Sequence, residues 1–137
     1  LSPEQFARDV AGPKSSVRQQ FVHYLNAADR YRARLAGEPV PDADPESFAS
    51  ALDLIEYQRG VYLRFKGYIA ALDEPDLDRV VEHATRGGVF RATVAGTLAQ
   101  VFNHATYHRG QIAMLLKLHG VDFADTDIIF WLNRGGQ

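Results

Sequence analysis

The chain has 137 residues, which is enough for one domain with a sizeable hydrophobic core. Hydrophobic residues make up 46% of it and charged residues 23%, a composition typical of globular proteins rather than of disordered segments. A net charge of −2 argues against nucleic-acid binding. Neither a bilayer-spanning apolar run nor a signal-peptide pattern is present, so we expect no membrane partner. The absence of cysteine excludes disulfides, thiolate ligands and a cysteine nucleophile, and it fits a cytoplasmic protein.

The first third of the chain predicts a short helix followed by a long one. Ser2 and Pro3 are typical of a helix start, and Gly12–Pro13 should interrupt that helix. The next helix is predicted over residues 14–36, with Gly37 ending it. Its apolar residues recur at spacings of three and four, as on the buried face of a bundle helix: Val17, Phe21, Tyr24, Ala28, Tyr31 and Leu35.

The middle third predicts a loop, a further long helix and a small hairpin. Three prolines place a loop at 38–45, and the helix after it should cover 46–72. Two short segments, 80–86 and 89–92, flank a pair of glycines and predict a hairpin or irregular excursion. The helix should bury one stripe of residues, whose single polar member, Gln58, we place at the edge of the core. The stripe consists of Phe48, Ala51, Ile55, Gln58, Tyr62, Phe65, Ile69 and Leu72.

The last long helix should begin near Thr93 or Thr97 and end at Gly120. The segment 123–132, which is rich in aromatic residues, is expected to pack back onto the other helices. The inner stripe of the last long helix consists of Leu98, Val101, Ala105, His108, Ile112 and Leu115. His108 should therefore point into the core.

Two histidines in that helix, His104 and His108, are four residues apart and so share one helix face. Imidazole is a common ligand of zinc, copper, iron and nickel. His108 alone would be interpreted as a core histidine with a hydrogen-bond partner, but His104 one turn away offers both rings a shared metal. His23, beside the stripe of the second helix, supplies a third imidazole. The hypothesis is a three-histidine site with an open coordination position.

The neighbouring residues exclude two familiar kinds of metal site. A zincin needs a glutamate directly after its first histidine, where this chain has Ala105. A ferritin-like di-iron bundle needs Glu-x-x-His on two helices, and no glutamate here has a histidine three residues later. A mononuclear site with neutral ligands remains, and such ligands leave the metal its full charge to acidify a bound water or thiol.

Four further residues near the histidines have predicted roles. Gln111 should contact a metal-bound ligand or orient an imidazole, with an exposed helix glutamine as the alternative. Arg109 is expected to pair with an acidic residue of a neighbouring helix or of a partner subunit. His83 should face solvent or approach the mouth of the site, and His119 should lie at the helix C-terminus, where a cation is favoured.

At this point the sequence resembles the DinB/YfiT-like metal-binding bundles. Their last helix carries a His-x-x-x-His-Arg-x-Gln motif, which corresponds to His104, His108, Arg109 and Gln111 here. Their second helix carries a histidine followed by a hydrophobic residue and an Ala-Asp-like pair, which corresponds to residues 23–29. The two motifs occur in the family's order and spacing, and the likeness extends from residue 2 to the segment 127–132.

The resemblance implies an all-α, up-down four-helix bundle in which His23, His104 and His108 bind a divalent metal, nickel or zinc. It implies a homodimer, and it suggests a transferase that joins a low-molecular-weight thiol to an electrophilic substrate. Family members usually have a long helix before the segment that matches Leu1–Glu4. We therefore expect that the first helix is missing from this chain or that another element takes its place.

Three functions follow as alternatives. The first is a metal-dependent thiol S-transferase, for which the lack of cysteine is no obstacle because the cosubstrate brings the sulfur. The second is a metal-dependent hydrolase, which ranks lower because no acidic residue occupies a motif position as a base. The third is a non-catalytic dimeric module for metal binding or stress response. All three expect one domain over residues 1–137.

Overall fold

The computed structural model describes residues 1–10, 15–85 and 87–133. The order of elements is the predicted one, although Gly12–Pro13 and its expected interruption lie outside the described residues. The helices are α1 (Pro3–Ala7), α2 (Val17–Ala36), α3 (Ala51–Ala70), α4 (Val94–Leu118) and α5 (Ile128–Asn133), and the strands β1 (Val80–Thr85) and β2 (Gly88–Thr93) lie between α3 and α4. No helix in the described ranges is long and apolar enough to cross a bilayer.

Serine side chains fix where the first three helices begin. Ser2, Ser16 and Ser50 each accept a hydrogen bond from the backbone N–H three residues later, and the side chain there accepts from the serine N–H in return. The helices α2 and α3 therefore begin a few residues after their predicted starts. Gly37 ends α2 as predicted, since its φ of 69° suits a residue without a Cβ atom.

The helix α2 is the centre of the fold and packs against both α3 and α4. Its predicted stripe is at least half-buried throughout, and residues on its other faces are buried as well. By contrast, α3 and α4 have few contacts with each other; they approach at Phe65 and Phe102, whose ring centroids are 6.3 Å apart. The main core joins α1, α2, α3 and α4 and contains Phe6, Val17, Val22, Phe48, Leu54 and Leu115.

The predicted buried stripe of α3 is wrong. Ile55 and Tyr62 are 55% and 60% exposed, and Gln58, which we placed at the core edge, is exposed too. The buried residues of α3 are Leu54 and Val61. The physical reason is that α3 packs against α2 and hardly at all against α4, so only one narrow face is covered although apolar residues occupy more than one.

The hairpin that precedes α4 is confirmed. The strands β1 and β2 are antiparallel, with Val80 opposite Thr93 and Thr85 opposite Gly88. Thr93 ends the second strand and also begins α4, because its hydroxyl accepts from the Gly96 N–H at 3.0 Å. The strands thereby deliver the chain directly into the helix that carries two of the three candidate histidines.

The helix α4 presents the predicted face to α2, so His108 does point inward.

The C-terminal segment differs from the expectation that residues 123–132 pack back onto the helices. In α5, Ile128, Ile129, Phe130 and Leu132 are each at least 47% exposed. The residues before α5 include three aspartates, which favour solvent over a packed position and so keep this segment away from the core. The structure accordingly confirms a mostly helical fold with a small hairpin, in which α2, α3 and α4 are the long helices described.

A buried ion network joins α2 to α3. Both carboxylate oxygens of Asp29, which is 1% exposed, are used: Oδ1 accepts from Arg32 Nε at 2.9 Å and Oδ2 from Arg64 Nη2 at 2.6 Å. Arg32 also pairs with Glu38 at 2.6 Å. Burial alone would raise the pKa of Asp29, but the hydrogen bonds and charges of the two arginines outweigh burial and lower it.

Replacing Asp29 by asparagine should reduce the free energy of unfolding by about 3 kcal/mol, because two guanidinium groups lose a buried counter-charge. Because the pKa of Asp29 is lowered in the folded protein, its carboxylate stabilises the fold at pH values above the pKa of the unfolded chain. This stabilisation is lost as the pH falls through the folded-state pKa. The difference in unfolding free energy between wild type and variant should therefore narrow below about pH 4. Urea unfolding across pH measures it. The exposed Asp78→Asn is the control; equal effects of the two variants would contradict a stabilising network.

Candidate metal centre

Three imidazoles from two helices meet at the contact between α2 and α4. His23 projects from α2, and His104 and His108 project from successive turns of α4. The ring centroid of His108 lies 4.4 Å from that of His104 and 4.6 Å from that of His23, and the third pair is 5.5 Å apart. One nitrogen from each ring can be chosen so that all three lie within 4.8 Å of one another. The three predicted ligands are therefore brought together in a cluster that could hold one metal ion.

The burial of the three rings is graded. His108 is buried, His104 is half-buried and His23 is exposed. The cluster is thus closed on the side of the α2–α4 contact and open toward solvent at His23. Such an arrangement provides a wall of fixed donors and a free side from which a further ligand can approach, as an open catalytic site requires.

The environment lowers the pKa of two of the three imidazoles. Burial lowers the pKa of His108 to about 4, with smaller contributions from the charges of His104 and His23. Burial also lowers the pKa of His104, again with a contribution from His23. The ring of His108 has therefore lost its proton well below neutral pH. Because a metal binds only the neutral ring, His108 needs no costly deprotonation before it binds one.

A glutamine that the sequence analysis missed orients His108. Gln20, on α2, places its Oε1 2.9 Å from His108 Nδ1. When Nδ1 carries the proton and donates to this oxygen, Nε2 keeps its lone pair for a metal, which is the usual way a neighbouring group fixes the tautomer of a ligand histidine. The available signal was weak: Gln20 lies three residues before His23 and so on the same side of α2.

The predicted accessory residue, Gln111, lies beside the cluster, where its side chain interacts with His108 and partly offsets the lowering of the pKa of that ring. It lines a cavity with His23 and His108, and its Nε2 donates to Tyr107 Oη at 3.3 Å. Its Oε1 is buried and has no hydrogen-bond partner among the described residues. Gln111 therefore has an unused acceptor next to the cluster, and its predicted role toward a bound ligand stays a prediction.

The remaining expectations near the site have mixed outcomes. Within the described ranges Arg109 forms no ion pair with a neighbouring helix, and it donates to Thr106 Oγ1 at 2.7 Å. The solvent-facing position expected for His83 is wrong, since it is 3% exposed and its Nε2 lies 3.0 Å from Thr97 Oγ1. The hairpin lies against α4, which buries this side of β1. His119 does cap the C-terminus of α4.

Two cavities meet at the histidines. The first, of about 570 Å³, is lined by His108 and His23 together with three carboxylates, Asp42, Asp44 and Glu46, and we call it the acidic cavity. The second, of about 890 Å³, is lined by His104 and His23 together with two arginines, Arg30 and Arg34, and we call it the arginine cavity. His23, Arg30 and Asp42 line both. The cluster is therefore reachable from two sides.

The donor set fits a divalent metal, because three neutral imidazoles with one hydrogen-bonded ring and one open side form the kind of site that nickel or zinc occupies. Fold and cluster together define a helical protein with three histidines that could hold a metal ion. Comparison with protein families agrees: the family model described as "DinB superfamily" matches residues 1–112. The chain belongs to the DinB superfamily, and the resemblance found in the sequence is confirmed. Comparison with curated proteins gives no match.

Single replacement of His23, His104 or His108 by alanine should each abolish stoichiometric metal binding, because two imidazoles cannot replace three in a site of this geometry. Elemental analysis of the purified variants after loading with nickel or zinc measures this. His119→Ala is the matched control, since His119 is part of helix α4's end and lies outside the cluster. Unchanged metal content in His23→Ala would contradict the three-ligand assignment.

Replacing Gln20 by alanine should weaken metal binding by about 10- to 100-fold while leaving the fold intact, since partners that orient ligand imidazoles typically contribute that much. Competition with a chromophoric chelator measures the affinity. Gln58→Ala on the exposed face of α3 should change nothing. Equal affinities of the Gln20 and Gln58 variants would show that the hydrogen bond to His108 does not support the site.

Proposed function

We propose that this DinB superfamily protein is an enzyme that uses a divalent metal, nickel or zinc, to transfer a low-molecular-weight thiol to an electrophile. The observation that carries the proposal is the position of the three-histidine cluster between two cavities, with His23 exposed to both. A reaction of two substrates needs two approaches to one reactive centre. The neutral donor set and the open side supply the remaining requirements.

The proposed reaction joins the sulfur of the thiol to a carbon of the electrophile. When bound, a divalent metal lowers the pKa of a thiol ligand so that the sulfur becomes a strong nucleophile near neutral pH. The S–H bond breaks as its proton passes to water, the electron pair left on sulfur forms the S–C bond, and the leaving group departs with the electron pair of its former bond to carbon. No cysteine of the chain is needed, in agreement with its composition.

The chain's own residues orient and enclose this chemistry. Gln20 holds the ring of His108, and Tyr107 lies against the other face of the cluster, with its ring centroid 5.1 Å from that of His108. Asp42 lines both cavities beside the cluster and is paired with Arg30. A carboxylate at this position is what a hydrolase would use as a base, which keeps metal-dependent hydrolysis as the second candidate.

Protein loaded with nickel or zinc should consume glutathione, bacillithiol or mycothiol in the presence of chlorodinitrobenzene and form the thioether. His108→Ala should reduce the rate to that of the uncatalysed reaction, whereas His119→Ala should leave it unchanged. Chromatography with mass detection identifies the product. Formation of the hydroxylated product in place of the thioether would favour the hydrolase, and absence of both products would favour a non-catalytic metal-binding module.

We also propose that the chain forms a homodimer through the groove between α3 and α4, to which Ala28 of α2 also contributes. An apolar groove of about 440 Å³ lies there, lined by Val61, Tyr62, Phe65, Ile69 and Phe102, with Lys66 and Arg109 among its lining residues. The exposed apolar residues of α5 follow a segment with three aspartates. Apolar contact and opposite charge therefore support docking of this segment from a second copy into the groove.

Sedimentation equilibrium should show a dimer for the wild-type chain and a monomer for Phe102→Asp, because the substitution removes an apolar contact and places a negative charge opposite the aspartates of the docking segment. Leu52→Asp is the matched control, since Leu52 lies on α3, one of the helices that line the groove, and is 72% exposed. It lines no part of the groove itself. A monomeric wild-type chain would contradict the dimer, and dissociation of both variants would contradict this choice of surface.

A further inference from the structure

One face of α2 forms a continuous wall of the arginine cavity. His23, Ala27, Arg30 and Arg34 follow one another at spacings of four, three and four, and all of them line this cavity. Along the helix, Arg34 lies about 16 Å beyond His23 at the usual rise per residue. Its guanidinium lies over the ring of Tyr31, which is three residues nearer to His23 in α2. From this position we estimate about 10 Å between the guanidinium and the histidine cluster.

The two arginines of this wall differ in their partners. Arg30 pairs with Asp42 and donates from Nε to the Pro41 carbonyl oxygen at 3.3 Å. Arg34 forms no ion pair with any described residue. Its guanidinium lies over the ring of Tyr31, 5.9 Å from the centroid. The arginine cavity therefore carries one positive charge that nothing in the described chain neutralises, whereas the acidic cavity carries an excess of carboxylates.

The side chain of Arg34 is held in place by contacts with neighbouring side chains. The ring of Tyr31 contacts the buried ring of His83 edge to face, with centroids 5.5 Å apart, and His83 is held by Thr97 at the start of α4. The guanidinium therefore rests on a stack of side chains that connects α2, β1 and α4. A group held in this way loses little freedom when it binds an anion, which increases the affinity for that anion.

We propose that the arginine cavity binds a carboxylate of the substrate, with Arg34 as the residue that recognises it and the histidine cluster at the other end. The inference rests on the proposed function only for the reacting end of that substrate. The guanidinium provides two parallel N–H donors that match a carboxylate, and Gln100 of α4 lines the same cavity with a further amide. The ligand class is a carboxylic acid whose reactive atom lies about 10 Å from the carboxylate.

Calorimetric titration with three probes tests this: mercaptooctanoate, which has both ends; octanoate, which has only the carboxylate; and mercaptooctanol, which has only the thiol. Arg34→Gln should weaken mercaptooctanoate and octanoate by about 10-fold or more and leave mercaptooctanol unchanged. Arg34→Lys should retain part of the affinity, since a point charge replaces the fork. Arg59→Gln, an exposed arginine that lines neither cavity, should bind like the wild-type protein.

The same titrations show which substrate carries the carboxylate. If the thiol carries it, mercaptooctanoate binds more tightly than octanoate to the metal-loaded protein. If the electrophile carries it, octanoate and mercaptoethanol bind to the protein at the same time, and mercaptooctanoate binds no more tightly than octanoate. Either result supports a carboxylate site. Unchanged octanoate and mercaptooctanoate affinities in a folded Arg34→Gln variant, or no octanoate binding by the wild-type protein, would overturn it.

Titration of octanoate into the metal-free protein separates this inference from the proposed function. The carboxylate contact uses Arg34 and needs no metal, so octanoate should still bind, and circular dichroism verifies that each variant is folded. If octanoate binds in this way but no thiol is transferred in the assay above, the transferase proposal fails while the carboxylate site stands. If thiol transfer occurs but Arg34→Gln does not alter octanoate binding, the carboxylate site fails alone.

Discussion

The buried side-chain amide of Asn26 fixes the arrangement on which the site depends. Its Nδ2 donates to the Ala43 carbonyl oxygen at 2.8 Å, and its Oδ1 accepts from the Ala43 N–H at 3.1 Å and from Tyr57 Oη at 2.7 Å. One amide thus joins α2 to α3 and to the loop between them. Asp42, next in the chain to Ala43, is thereby placed where the two cavities share a wall. Because a buried amide without partners would be costly, few alternative positions of this loop are open to the chain.

The position of α2 also determines the surroundings of the histidine cluster. The face of α2 toward α4 carries Gln20 and His23, and α4 supplies the other two imidazoles. Burial at this contact keeps His108 neutral, which suits a metal ligand. The same helix continues beyond the cluster to Arg34. The helix α2 therefore carries one of the three imidazoles and also the arginines beside one approach to them. Under the proposed function, a substrate would be oriented by a helix rather than by a loop.

Much of this could be predicted from sequence because it depends on local rules. The Ser2 cap, the glycine stop of α2, the hairpin and the inward direction of His108 follow from spacing and from residues a few positions apart. The errors concern contacts across the chain. The exposure of the α3 stripe and the burial of His83 depend on which elements become neighbours, and Gln20 and His108 are 88 residues apart in sequence. Periodicity identifies an apolar face of a helix, but it does not identify what covers that face.

The histidine cluster also bears on how the chain is held together. His23 lies in α2 and the other two histidines lie in the middle of α4, so a shared ligand would close a loop of roughly eighty residues. In many small proteins a disulfide closes such loops, with a stabilisation on the order of 4 kcal/mol for a loop of this length. This chain has no cysteine, and α4 reaches the rest of the core largely through α2. A metal at the cluster would act as a reversible cross-link, so the supply of that ion would set the resistance of the protein to unfolding and proteolysis.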